Sequence, residues 1–177
     1  MITCFAGVRE LMRLVKFLAC AWVLASAHAA VVKIDVQSRS DVLGGQKFAS
    51  AGSYERITGK VHFAIDPSHR LNKGITDVHR APRNSAGLIE FSADFYMMRP
   101  VELRKGNGTV LFEVPNRGKK RMLQMFNRAR SSNVPITAED FGDALLLNEG
   151  YTLVWLGWQH DAPQFEGSMR IYAPVAT

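Results

Sequence analysis

The sequence predicts an α/β chain: antiparallel β segments first, then a strand-helix-strand part of a sheet. Three observations lead there. Val61, Phe63 and Ile65 alternate with polar residues, as do Phe91, Ala93, Phe95 and Met97, the pattern of strands with one wet face. Residues 109–114 and 151–156 are almost continuously apolar, as in strands covered on both faces. Between those two runs, Met122, Leu123, Met125 and Phe126 recur at helical spacing, as do Phe141, Ala144, Leu145 and Leu147.

Taken in order, residues 31–36 read as a first strand and 37–53 as a polar, glycine-containing loop. Residues 59–65 form the next strand, ended by the turn Asp66-Pro67. Pro82 to Gly87 is loop chemistry before the strand 88–98, which Arg99-Pro100 closes. Gly106-Asn107-Gly108 turns the chain into the apolar run 109–114, and Pro115-Asn116-Arg117-Gly118 breaks that run. Thr137 is placed to cap a helix, with Asp140 three residues on. Gly150 suits the residue after that helix. Residues 151–156 make the second apolar strand, and residues 170–172 a last short one. A strand-helix-strand crossover predicts two parallel strands. Phe112, Val154 and Trp155 are expected to be buried in them.

Arg13 and Lys16, the apolar run 17–25 and the small residues Ala27 and Ala29 make up an export signal, so residues 1–29 are expected to be removed, with Met12 an alternative start. The apolar run is too short for a comfortable membrane span. The chain is long enough for one domain with a real core, and residues 30–177 are expected to be the amino-terminal part of such a domain, periplasmic or secreted. Both cysteines, Cys4 and Cys20, fall in the removed part, which excludes disulfides and thiol chemistry from the remainder. The formal net charge is +6, but the basic residues are scattered. The densest group, Arg117, Lys119, Lys120 and Arg121, is short and free of aromatics, so it reads as a solvated face and not as a nucleic-acid site. His62, His69, His79 and His160 match no zinc spacing, and no phosphate loop is present, so no metal or cofactor is expected.

Several phrases resemble a family of bacterial, often exported, alpha/beta-hydrolase-domain proteins. They are Gly52-Ser53-Tyr54-Glu55-Arg56, residues 59–66, Ala81-Pro82-Arg83-Asn84 and Glu90-Phe91-Ser92-Ala93-Asp94-Phe95. Further on come Gly106-Asn107-Gly108-Thr109, Glu113-Val114-Pro115-Asn116-Arg117-Gly118, residues 150–155 and Gly157-Trp158-Gln159. Pro115 departs from the polar residue usual at that place. The resemblance implies the amino-terminal part of an alpha/beta-hydrolase-like sheet, acting on ester or related acyl bonds. Such enzymes carry a Gly-x-Ser-x-Gly elbow. No serine in this chain has glycine two residues before it, so the catalytic serine is expected outside it, and the chain alone is expected to be inactive. Under this resemblance the partner is a small ester-like substrate.

The candidate site residues follow from position. Asn116, Arg117 and Gly118 form the turn after an apolar strand, where hydrolases of this kind take an oxyanion donor from the backbone. Trp158 and Gln159 leave the second strand at its carboxyl end, where open sheets collect ligands, and are candidates for a substrate pocket. His160 beside Asp161 suggests a base with an orienting acid, although adjacent residues seldom face each other. The reading of a different class is a non-catalytic exported binding or structural module built on the antiparallel strands.

Overall fold

A computed structural model describes residues 29–177. The proposed export segment, with both cysteines, lies outside the described residues apart from Ala29. Seven strands form a mixed, mainly antiparallel sheet. They are β1 (Ala29–Asp41), β2 (Lys47–Phe48), β3 (Gly52–Ile65), β4 (Ile89–Pro100), β5 (Val110–Glu113), β6 (Thr152–Leu156) and β7 (Ile171–Tyr172). The main order is β1-β3-β4-β6-β5, with β2 on β3 and β7 on β4.

β3 is the organising strand. It runs antiparallel to β1 on one side and, without a register shift, to β4 on the other, from Tyr54 opposite Pro100 to Ile65 opposite Ile89. Charge reinforces this pairing. Glu55 is 7 % exposed and sits between Arg99 Nε at 2.7 Å and Arg39 Nη1 at 2.9 Å, so its carboxylate ties β3 to both neighbours. β6 pairs antiparallel with β4, and β5 pairs parallel with β6, Val110 opposite Thr152 through Glu113 opposite Trp155. The expected parallel pair is thus present.

The expected α/β layering is not. The described residues hold two short α-helices, α1 (Met122–Phe126) and α2 (Leu145–Asn148). The fold is therefore β-rich, and the prediction of an α/β, alpha/beta-hydrolase-like sheet is corrected. Local backbone chemistry accounts for the broken helices. The capping box forms as expected at Thr137 and Asp140, but it caps one 3-10 turn, Ala138–Asp140. Gly142 and Ala144 then adopt left-handed conformations, φ 57° and 54°. A Cβ at Gly142 would lie 2.0 Å from the Asn127 carbonyl, so the chain turns there to admit that backbone in place of a continued helix.

The main core lies between the sheet and the β5–β6 connection. Trp155, Tyr54, Phe48, Phe141, Met98 and Leu147 are its largest buried side chains. Tyr96 meets Trp155 edge-on at 5.4 Å, and Phe48 meets Tyr54 in the same manner at 5.5 Å. The expectation that both apolar runs are covered on each face fails for β5. Phe112 is 51 % exposed, and Val110 and Val114 on the same side are exposed as well. β5 is the last strand of the order, and no helix covers its outer face among the described residues. Trp155 is buried as expected, while Val154 is only partly so.

Candidate functional site

The two sequence-predicted loops meet. Asn116, Arg117 and Gly118 form a 3-10 turn just past the carboxyl end of β5. Trp158 and Gln159 leave the carboxyl end of β6. Because β5 and β6 are parallel neighbours, both exits emerge at one end of the sheet. The Arg117 backbone N–H donates to Gln159 Oε1 at 2.5 Å. The Arg117 guanidinium donates to Asp161 Oδ2 at 2.7 Å and to the Asp161 carbonyl at 3.2 Å. That guanidinium holds the Asp161 carboxyl below the usual carboxylate range.

Backbone geometry explains the turn. Arg117 has φ 53° and Gly118 φ 75°, two consecutive left-handed residues that reverse the chain. A Cβ on Gly118 would lie 2.4 Å from Ser168 Oγ and 3.1 Å from Met169 N, so a side chain there would displace the Ser168 hydroxyl and crowd the Met169 backbone. Asn133 Nδ2 and Met169 N both donate to the Gly118 carbonyl, which leaves the turn fixed from behind. Asn116 and Arg117 are exposed, and Trp158 is 55 % exposed beside them. Trp158 is thus a rim residue and not part of the core.

The His160–Asp161 dyad does not assemble as a base and its acid. The Asp161 carboxylate pairs with Arg117, and the His160 carbonyl receives the Arg170 guanidinium. No group of three His, Cys, Asp or Glu side chains positioned to hold a metal occurs among the described residues.

Three residues that sequence reasoning passed over shape this end of the sheet. Glu113 closes β5 and accepts from Arg121 N, Met122 N at 2.8 Å and Trp155 Nε1 at 2.5 Å, which docks the start of α1 on the sheet. Its signal was a carboxylate ending an otherwise apolar run. Lys120 was assigned to a solvated face, yet it is 6 % exposed and donates to the Gly167 carbonyl at 2.7 Å. Burial pushes its ammonium down to about 8, against the pull of Asp94 and Glu113. The third is Tyr96, whose buried hydroxyl finds no acceptor for its proton. Burial pushes it up to about 12, against the charge of Arg56 and a hydrogen bond from its guanidinium. With Arg117 paired and Lys120 buried, the 117–121 cluster is not a continuous basic surface.

No protein-family model, curated protein or solved structure matches this chain.

Proposed function

We propose that this chain is the substrate-side portion of an exported hydrolase of ester or related acyl bonds, with the nucleophilic serine supplied from outside it. The observation that carries the reading is the Arg117 N–H meeting the Gln159 oxygen at the shared end of β5 and β6. A preorganised backbone donor facing an oxygen is what an acyl-transfer site needs where negative charge develops. The Gln159 carboxamide oxygen stands in for the substrate oxygen, and it is neutral, so an oxyanion would be the better acceptor. Trp158 provides an apolar rim for the rest of the substrate. The resemblance of residues 106–118 and 150–159 to exported hydrolases adds the substrate class.

The same contact favours a second reading, a non-catalytic exported binding module. An N–H already filled by Gln159, with the loops clasped by Arg117 and Asp161, is a finished structural turn. One titration separates the two. Phenylphosphonate, a tetrahedral oxyanion mimic, is added to the full chain while backbone amide resonances are followed. The hydrolase reading expects saturable shifts confined to residues 116–118 and 157–161. Unmoved Arg117 and Gly118 amides would leave the binding-module reading. Under either outcome, the chain alone should show no stoichiometric serine labelling by an aryl phosphonate ester. Export is tested separately, by amino-terminal sequencing of the secreted product, which should begin at Ala30.

A further inference from the structure

Behind the Gly118 turn, the sheet face and the segments 133–136 and 167–169 enclose a cleft of about 380 Å³. We propose that this cleft binds a small organic carboxylate, held by Lys120 and Arg56 with the Tyr96 hydroxyl completing the contact. The inference does not depend on the hydrolase reading.

The cleft holds more cationic donors than the fold uses. The Lys120 ammonium has three N–H donors. One goes to the Gly167 carbonyl, and the ammonium lies 4.7 Å from the Tyr96 ring centre. Arg56 donates to Ser40 Oγ at 3.1 Å and to the Pro135 carbonyl at 3.4 Å, both uncharged acceptors. Neither cation forms an ion pair among the described residues. The one carboxylate on the cleft wall, Asp94, is committed elsewhere. Its Oδ1 takes Lys60 at 3.2 Å, and its Oδ2 takes Arg170 N at 2.8 Å and the Tyr172 hydroxyl at 3.1 Å.

A buried ammonium with no ion pair is costly even under the longer-range pull of Asp94 and Glu113, and a buried hydroxyl whose proton has no acceptor adds to that cost. One ligand carboxylate relieves both. It gives Lys120 and Arg56 one shared counter-charge and offers an acceptor to the hydroxyl proton of Tyr96, a residue 7 % exposed. The remaining wall sets the class of ligand. Phe95, Val134, Ile136 and Met169 line it, so an aryl or short alkyl body fits better than an inorganic anion.

The test is calorimetry on the full chain with sodium benzoate, benzyl alcohol and inorganic phosphate. Saturable benzoate binding is expected, with benzyl alcohol and phosphate each at least about tenfold weaker. Lys120→Met and Arg56→Gln should each weaken benzoate by about tenfold or more, and thermal denaturation of each variant establishes that it is folded. Absence of saturable benzoate binding would overturn the proposal. So would benzoate binding unchanged in folded Lys120→Met and Arg56→Gln, or benzyl alcohol or phosphate binding as tightly as benzoate.

Discussion

The backbone N–H of Arg117 and the side-chain oxygen of Gln159 lie 2.5 Å apart, joining two loops that are 42 residues apart in sequence. The bond forms because β5 and β6 are parallel and end together, so their exits share one side of the sheet. Gln159→Ala removes the acceptor and leaves the N–H to water, since Arg117 is exposed. The expected loss of stability is about 1 kcal/mol. Gln159→Glu keeps an oxygen there and should cost less. Hydrogen exchange at the Arg117 amide provides the local check: faster in the alanine variant, protected in the glutamate variant.

Gly118→Val attacks the same turn through the backbone. The added Cβ meets Ser168 Oγ at 2.4 Å, and a β-branched residue is strained at φ 75°. Left-handed strain alone costs roughly 1–3 kcal/mol, and the contact adds to it. A urea midpoint unchanged from the parent would contradict the close packing of the turn against residues 168–169.

Phe112 behaves as a surface residue on an open sheet edge. At 51 % exposure its replacement by Thr, which keeps strand propensity, should change stability by less than about 1 kcal/mol. Solubility should rise, because Val110, Phe112 and Val114 present an apolar row beside the unpaired edge of β5. Sedimentation at increasing concentration reads this directly. A loss of several kcal/mol would mean that the outer face of β5 is covered.

Phe112 also illustrates how far a sequence can be read. A continuous apolar run is the same pattern for a strand covered on both faces and for an edge strand awaiting cover, so residues 109–114 looked central. The later half of β3, and β4, were legible because alternation encodes two unlike faces, with Val61 and Ala93 buried and Lys60 and Asp94 paired on the other side. The break at Gly142 was hidden because it depends on the distant Asn127 carbonyl. The turn at 116–118 was found by its position after a strand. Its neighbour Lys120 was missed, because nothing local distinguishes a buried lysine from the exposed ones beside it.

Asp140 anchors the loop that follows α1. It is 1 % exposed and accepts from Ile136 N at 2.9 Å, Thr137 N at 3.0 Å and Arg130 Nη2 at 2.8 Å. Burial favours its neutral form, but those donors outweigh it and bring the carboxyl down to about 2. Its stabilisation is therefore present above its ordinary value of 3.8 and is lost as pH falls through about 2. Asp140→Ala strands two backbone donors and should cost on the order of 2–3 kcal/mol. A smaller loss for Asp140→Asn, which keeps an acceptor oxygen, would separate hydrogen bonding from charge in denaturant titrations.

Alkaline pH should reveal Lys120 and the two buried phenols as opposing contributions. Folded Lys120 titrates near 8, against 10.5 when unfolded, because burial disfavours the ammonium. Below about pH 8 both states hold the proton, and the fold bears the whole penalty. From about pH 8 upward the folded state releases the proton while the unfolded state keeps it, so stability rises with pH. The slope approaches about 1.4 kcal/mol per pH unit for one proton. Tyr96 and Tyr54 act in the other direction. Burial raises both phenols above 10.0, Tyr96 to about 12, so above pH 10 the unfolded state loses protons that the folded state retains, and stability falls. The expected profile is a rise from about pH 8 to a maximum near pH 10, then a decline. Lys120→Met should abolish the rise, lift the low-pH baseline and keep the alkaline decline. Tyr96→Phe should keep the rise and soften the decline. Urea melts across this range measure each limb separately, and a flat profile for the parent between pH 8 and 10 would mean that Lys120 is solvated as the sequence alone suggested.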